Sequence, residues 1–377
     1  MLVALALGCA PQGPVLVEAT PAPNTGPPPG TIAGTPAAPG KDMGTRTSAR
    51  DMTWRVYARE HVDLWLHGFA MLQADSTLVP YFRPGYRTHI EAVRRERRVT
   101  TTLDASRERL SSYIDANPRL ISAQFLPLYF QTWEEMREGF DLFLSADGNP
   151  RRARDQASAQ VVATFAASFP QRRDREWARS FVHALDDERT RFYGEYWLAE
   201  TRAREGARTT FELAWRTRFR GRLERFLTNV QEDDGEVLLS LTLGGEGRTV
   251  SVNRRENYVA VPFPDDDAAA NEPVFVFLHE IAGAPSAVAV RDQTTPAEQR
   301  DGTADRYASL AAVRGGAIIL AHVAPDLVPE YQRYYLRIAR ARVPDGDPTS
   351  AFERSFSLPD AVRDAVARQI DIILGGI

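Results

Sequence analysis

Two hydrophobic periods divide the chain. From Thr53 to Val230 the apolar positions recur at three- and four-residue intervals, as in Trp54, Tyr57, His61, Leu64, Trp65 and Gly68, which predicts helices. Pro80, Pro84 and Gly85 interrupt this pattern. A basic-acidic helix is expected from Arg87 to Val99, and Asp104 is placed to cap the next one, with Glu108 near its first turn. Between Gln124 and Leu144, the residues Phe125, Leu128, Phe130, Trp133, Met136, Phe140 and Leu144 form one broad apolar face that stops at Asp147-Gly148-Asn149-Pro150. Arg175 to Val230 contains no proline and reads as two helices meeting near Gly206.

At Glu236 the period changes. Val237 to Leu243 is an apolar run with strand character, Arg248 to Asn253 alternates, and Asn257 to Pro262 reads as a third strand. Gly244-Gly245-Glu246-Gly247 lies between the first two and is expected to be a hairpin turn. The expected fold class is α+β and predominantly helical, with a small antiparallel sheet near residues 236–263 followed by a long apolar helix from about Val274.

The N-terminal residues have a different character. Residues 1–9 read Met-Leu-Val-Ala-Leu-Ala-Leu-Gly-Cys, a short apolar run ending in small residues and in the chain's single cysteine. This resembles the end of a bacterial lipoprotein signal peptide, with Ala6-Leu7-Gly8-Cys9 as the lipobox. Ala6 stands where leucine is usual, and no basic residue precedes the apolar run. The resemblance implies lipidation of Cys9, a membrane anchor and location in the bacterial cell envelope. Ala10 after Cys9 favours the outer membrane. Residues 10–52 are crowded with Pro, Gly, Ala and Thr, as in Pro27-Pro28-Pro29-Gly30. Such composition cannot build a core and suits a tether. The expected organisation is signal and lipobox over 1–9, tether over 10–52, a helical region over 53–232 and an α+β region over 233–377. The last two are expected to form one domain.

Composition excludes several classes. A net charge of -4 at pH 7 gives no pull toward nucleic acid. The basic residues are arginines apart from Lys41, and runs such as Arg94-Arg95-Glu96-Arg97-Arg98 are interleaved with acids, the pattern of solvated helix faces. One cysteine permits no internal disulfide and no thiolate metal site. No uninterrupted apolar run reaches the roughly 20 residues that span a bilayer. No G-x-S-x-G elbow, P-loop or dinucleotide fingerprint is present.

Candidate chemistry lies at His279-Glu280-Ile281-Ala282-Gly283. An apolar helix entering His-Glu-x-x is similar to the HExxH helix of zinc metallopeptidases of the gluzincin kind. Arg314-Gly315-Gly316-Ala317 resembles the downstream Glu-Gly-x-Ala helix from which such enzymes take a third ligand. The resemblance covers roughly residues 236–340. It implies His279 as a zinc ligand and Glu280 as the catalytic base that activates a bound water. The chain departs from it at two of the ligand positions: Gly283 has no side chain, and Arg314 repels a cation. Pro285 is expected to kink or end the helix. Asp305, Glu298 and His322 are conceivable substitutes.

The expectation is therefore a degenerate relative without a cofactor, serving as a binding or structural module, with Arg314 paired to Glu280. The alternative is an active zinc metallopeptidase with atypical ligands. A protein or peptide partner is not specified by any motif. His61 and His67, six apart, read as part-buried histidines, and His183 beside Asp186-Asp187-Glu188 as one residue of an acidic helix face.

Overall fold

The computed structural model describes residues 54–73 and 82–375. Cys9, the lipobox and the tether lie outside them. The chain opens with a short strand, β1 (Arg55–Ala58), followed by α1 (Glu60–Leu72), α2 (Tyr86–Arg97) and α3 (Thr102–Ala116). A 3-10 run over Pro118–Tyr129 leads to α4 (Trp133–Ser145) and α5 (Gln156–Ser168). Two long rods follow. One joins α6 (Arg172–Glu188) to α7 (Gly194–Ala203) through a π-turn at Arg189–Tyr193. The other joins α8 (Glu205–Ala214) to α9 (Arg220–Asn229) through a π-turn at Trp215–Phe219.

Strands β2 (Glu236–Ser240), β3 (Arg248–Asn253) and β4 (Glu256–Pro262) come next. The C-terminal helices are α10 (Glu272–Gln293), α11 (Pro296–Arg300), α12 (Thr303–Val323), α13 (Val328–Ile338), α14 (Thr349–Ser355) and α15 (Asp360–Leu374).

Helix starts follow local chemistry. The Thr132 side chain accepts the Glu135 amide at 3.1 Å and Asp155 accepts that of Ser158 at 2.7 Å, each supplying an acceptor that a free helix end lacks. Thr101, rather than Asp104, is the N-cap of α3. Asp104 sits at the third helical position and accepts the Thr101 amide at 3.0 Å, forming a capping box. The two expected helices over 175–230 are the two rods, broken at Arg204, two residues from Gly206.

The sheet corrects the expected topology. Its order is β1-β2-β4-β3, and β1 pairs with β2, and β2 with β4, in parallel. Only β3 and β4 are antiparallel. The antiparallel turn is at Arg254-Arg255, and Gly244–Gly247 is a crossover that carries the chain from β2 past the end of β4 to the far edge. β1 was read into a helical period because Trp54 and Tyr57 fit it.

The parallel arrangement has a physical cause. Val237, Leu239, Val259 and Val261 face one hydrophobic core, with α8 to α10 and α12 to α15. Leu238, Val250, Tyr258 and Ala260 face a second core, formed with α1 to α7. Both faces are covered along β2 and β4, which read as near-continuous apolar runs, while the edge strand β3 alternates and is exposed from Ser251 to Asn253.

Helix α10 runs along the first face. Pro285 does not end it, and the helix continues to Gln293 with Pro285 and Ser286 both buried. The lost backbone donor is tolerated where α12 and α15 pack on the same stretch. Asp267–Gln293 is long and apolar enough to cross a membrane by length and composition, yet 72% of its apolar window is buried within the fold. It is the central helix of that core.

Candidate functional site

His279 and Glu280 sit midway along α10, where the helix meets the crossover and β3. The Glu280 carboxylate has three donors. Oε1 accepts the Gly247 amide at 2.8 Å and faces His279 Nδ1 at 3.0 Å, while Oε2 accepts the Thr249 hydroxyl at 2.7 Å. Burial acts to raise this carboxyl, but the bonds from His279 and Thr249 and the charge of Arg248 outweigh it and hold the group below the usual glutamate range. An ionised Glu280 makes His279 Nδ1 the donor and fixes the ring tautomer. The His279 ring is 6% exposed and lies with its centroid 5.9 Å from that of Tyr335.

The crossover is fitted to this helix with little room. A side chain at Gly247 would meet Glu280 Cγ at 2.6 Å and the Ala260 carbonyl oxygen at 2.6 Å. Tyr334 and Tyr335 of α13 donate to the carbonyls of Gly244 and Gly245, each at 3.2 Å. Arg248 is buried and is turned from the helix toward the Gln124 side-chain oxygen, with its guanidinium also donating to the Gly247 carbonyl. Glu246 precedes Gly247 in the crossover. Burial pushes its carboxyl up to about 7, with the charge of Glu280 adding to the rise and those of Arg248 and His279 opposing it.

The other expected site residues lie elsewhere. Gly283 is one turn further along α10 and offers no donor atom. Arg314 does not reach Glu280. Its guanidinium pairs with Glu353 at 3.6 Å and covers the Phe352 ring at 5.7 Å. The reason is that Gly315 and Gly316, not Arg314, face α10: a side chain at Gly316 would come within 3.1 Å of the His279 amide nitrogen.

The three conceivable substitutes are engaged elsewhere too. Glu298 accepts the Thr295 amide at 2.8 Å as a cap of α11, and His322 lies 3.4 Å from Asp371 at the surface. Asp305 lies in the first turn of α12. Among the described residues no three His, Cys, Asp or Glu side chains form a group able to hold a metal ion. The donors around His279 do not fit catalytic zinc, which takes three protein ligands and a water.

A second polar cluster is buried in the helical half. Asp63 of α1, fully buried, accepts the Leu241 amide at 3.1 Å, the Trp197 indole at 2.9 Å and the Ser240 hydroxyl. One turn on, His67 lies 2.9 Å from the Tyr86 hydroxyl and 3.1 Å from Glu188 Oε1, and Glu188 also takes Arg94 and Thr101. His61 sits 2.9 Å from the Phe130 carbonyl. Both histidines are buried rather than part-buried, and each is hydrogen-bonded to a neighbouring segment. His183 is exposed on α6, while Asp186 and Asp187 accept from Trp133 and from the Thr102 amide.

Sequence reading missed Glu246, Arg248 and Thr249 because it placed them in and after a solvent-facing turn. The available signal was the flanking glycines in an apolar setting, which mark close backbone approach as readily as a turn. Comparison with protein-family models, with curated proteins and with solved structures finds no match to this chain.

Proposed function

We propose that this chain is a lipid-anchored protein of the bacterial cell envelope, with the outer membrane favoured, whose folded part is a non-catalytic binding or structural module. The observation that carries the second half of this reading is the state of Glu280. A peptidase base must present a free carboxylate oxygen to a metal-bound water. Both oxygens of Glu280 instead hold the crossover, β3 and the neighbouring histidine. On this reading His279-Glu280 is what remains of an HExx helix whose acid has become a structural acceptor. Cys9 and the proline-rich segment after it support the anchor.

Two measurements test the two halves. Elemental analysis of the purified chain should find no stoichiometric zinc, and chelators should leave its melting temperature unchanged, because no metal-binding free energy supports the fold. About one zinc per chain, lost in His279→Ala, would instead establish the metallopeptidase alternative. Separately, Cys9→Ala should move the chain from the membrane to the soluble envelope fraction. Retention on membranes after a salt wash would defeat the anchor.

A further inference from the structure

We infer that the outer edge of β1 is a docking strand for an extended peptide, with an acidic side chain of that peptide held by Arg55. This rests on the reading of the folded part as a binding module. The ladder identifies the free groups. Arg55 donates its amide to the Gly235 carbonyl at 3.2 Å, so Arg55 and Tyr57 face β2 in the parallel pair. The amides and carbonyls of Val56 and Ala58 therefore point away from β2, and among the described residues none of them has a hydrogen-bond partner. Backbone groups placed in this way are met by water or by an added strand. β1 is also held ready. Trp54, 2% exposed, donates its amide to Asp234 at 3.1 Å and its indole to the Glu232 carbonyl at 3.1 Å, and its own carbonyl accepts the Trp215 indole at 2.8 Å. A strand fixed at its entrance loses little freedom on pairing. The opposite edge differs: β3 carries a register shift between Ser251 and Asn253, a device that spoils edge pairing, and β1 has none.

A cavity of about 250 Å³ lies along the same edge, with Arg55, Tyr57, Glu236, Arg255, Glu256 and Tyr258 in its lining. Arg55, Glu236 and Tyr258 are cross-strand neighbours on β1, β2 and β4, so a side chain opposite Arg55 on an added strand stands at the cavity. The acids there are already engaged. Asp234 accepts the Trp54 and Gly235 amides, Glu236 pairs with Arg59, and Glu256 accepts from Asn253 and Tyr258. The arginines keep donors to spare. Exposed Arg55 has the Tyr57 hydroxyl at 3.5 Å as its side chain's one hydrogen-bond partner among the described residues. Exposed Arg255 forms no side-chain hydrogen bond or ion pair among them, and the nearby Asp233 carboxylate is held by Arg254. A carboxylate brought in by the peptide takes these N–H groups in charge-assisted bonds. A second copy of the chain is a poorer occupant. In the antiparallel register that uses both outward residues, Arg55 would stand opposite Arg59 of the other copy, and like charges directly opposite repel.

The test is fluorescence anisotropy of the full purified chain at low salt with two fluorescein-labelled peptides capped at both ends, Thr-Val-Thr-Glu-Thr-Val-Thr and the same sequence with lysine at its centre. The glutamate peptide should bind saturably and about tenfold more tightly than the lysine peptide. Arg55→Glu should reverse that order. Val56→Pro removes an outward amide and no bond to β2, and should weaken both peptides by at least about tenfold. Should proline disturb the strand, Arg55→Glu, at an exposed position, carries the test alone. No saturable binding of the glutamate peptide, equal affinity for the two peptides, or an unchanged order in Arg55→Glu overturns the inference. So does sedimentation that shows a dimer of the free chain dispersed by Val56→Pro, because a second copy then covers the edge. Zinc is measured on the same preparation. Failed binding in zinc-free protein overturns the docking edge alone, whereas about one zinc per chain overturns the non-catalytic reading.

Discussion

The amide of Gly247 and the carboxylate of Glu280 meet at 2.8 Å across the boundary between the sheet and its central helix. Glu280 also takes the Thr249 hydroxyl and lies against His279 Nδ1. Replacing it with alanine strands three donors in a nearly closed site. Glu280→Ala should destabilise the fold by about 2–4 kcal/mol, and Glu280→Gln, which keeps one acceptor, by about 1–2 kcal/mol. Urea unfolding reads both. An alanine variant within about 0.5 kcal/mol of wild type, the range of ordinary surface changes, would show that the carboxylate does not tie helix to strand.

Glycine substitutions separate packing from propensity. A β-carbon on Gly316 of α12 would meet the Tyr331 hydroxyl at 2.4 Å and the α10 backbone at 3.1 Å. That hydroxyl donates to the Val313 carbonyl at 2.8 Å, so it cannot move without losing a buried bond. Gly316→Ala should cost about 1–3 kcal/mol. Gly221, inside α9, has nothing within 4 Å of its would-be β-carbon. Gly221→Ala should gain about 0.5–1 kcal/mol from helix propensity alone. Thermal melts giving both substitutions the same sign would contradict this account of the helix contact.

Asp63 makes stability depend on pH in a specific direction. Burial pushes its carboxyl up to about 6 from 3.8, despite the three donors on it. The folded chain therefore binds this proton more tightly than the unfolded chain. Its contribution is favourable in acid and is lost as pH rises from about 3.8 through about 6. Other carboxyls shift the opposite way, Glu188 and Asp174 among them, so the wild-type curve alone does not isolate it. The difference between wild type and Asp63→Asn does. Wild type should lose about 2–3 kcal/mol relative to the variant between pH 4 and pH 7. A difference that is flat, or that grows with pH, would mean the three hydrogen bonds outweigh desolvation.

Apart from β1, whose Trp54 and Tyr57 fit a helical period, the main element types were legible because they follow from local pattern. The 175–230 rods followed from three- and four-residue spacing, and the strands from Val237, Val250 and Val259. Pairing was not legible, because neighbours are chosen by burial over long separations. The run Val237-Leu238-Leu239 did carry the cue of a sheet covered on both sides. Nothing local states that β4 lies between β2 and β3. The site was half legible. His279 and Glu280 stand together as read, whereas Arg314 fails because Gly315 and Gly316, its neighbours, take the face toward α10. Glu246 was hidden by its turn-like surroundings.

The shared wall between the two cores constrains how the chain is made. β1 finds its partner only when Arg55 reaches Glu236, and Val56 reaches Val237. At a synthesis rate of roughly 5–20 residues per second, those partners emerge roughly 10–40 s after β1 itself. During that interval helices α1 to α7 can associate, but the surface meant for Leu238, Val250, Tyr258 and Ala260 has no cover. The nascent chain must thus carry an unfinished greasy face for roughly half of its synthesis, until β2, β3 and β4 have emerged.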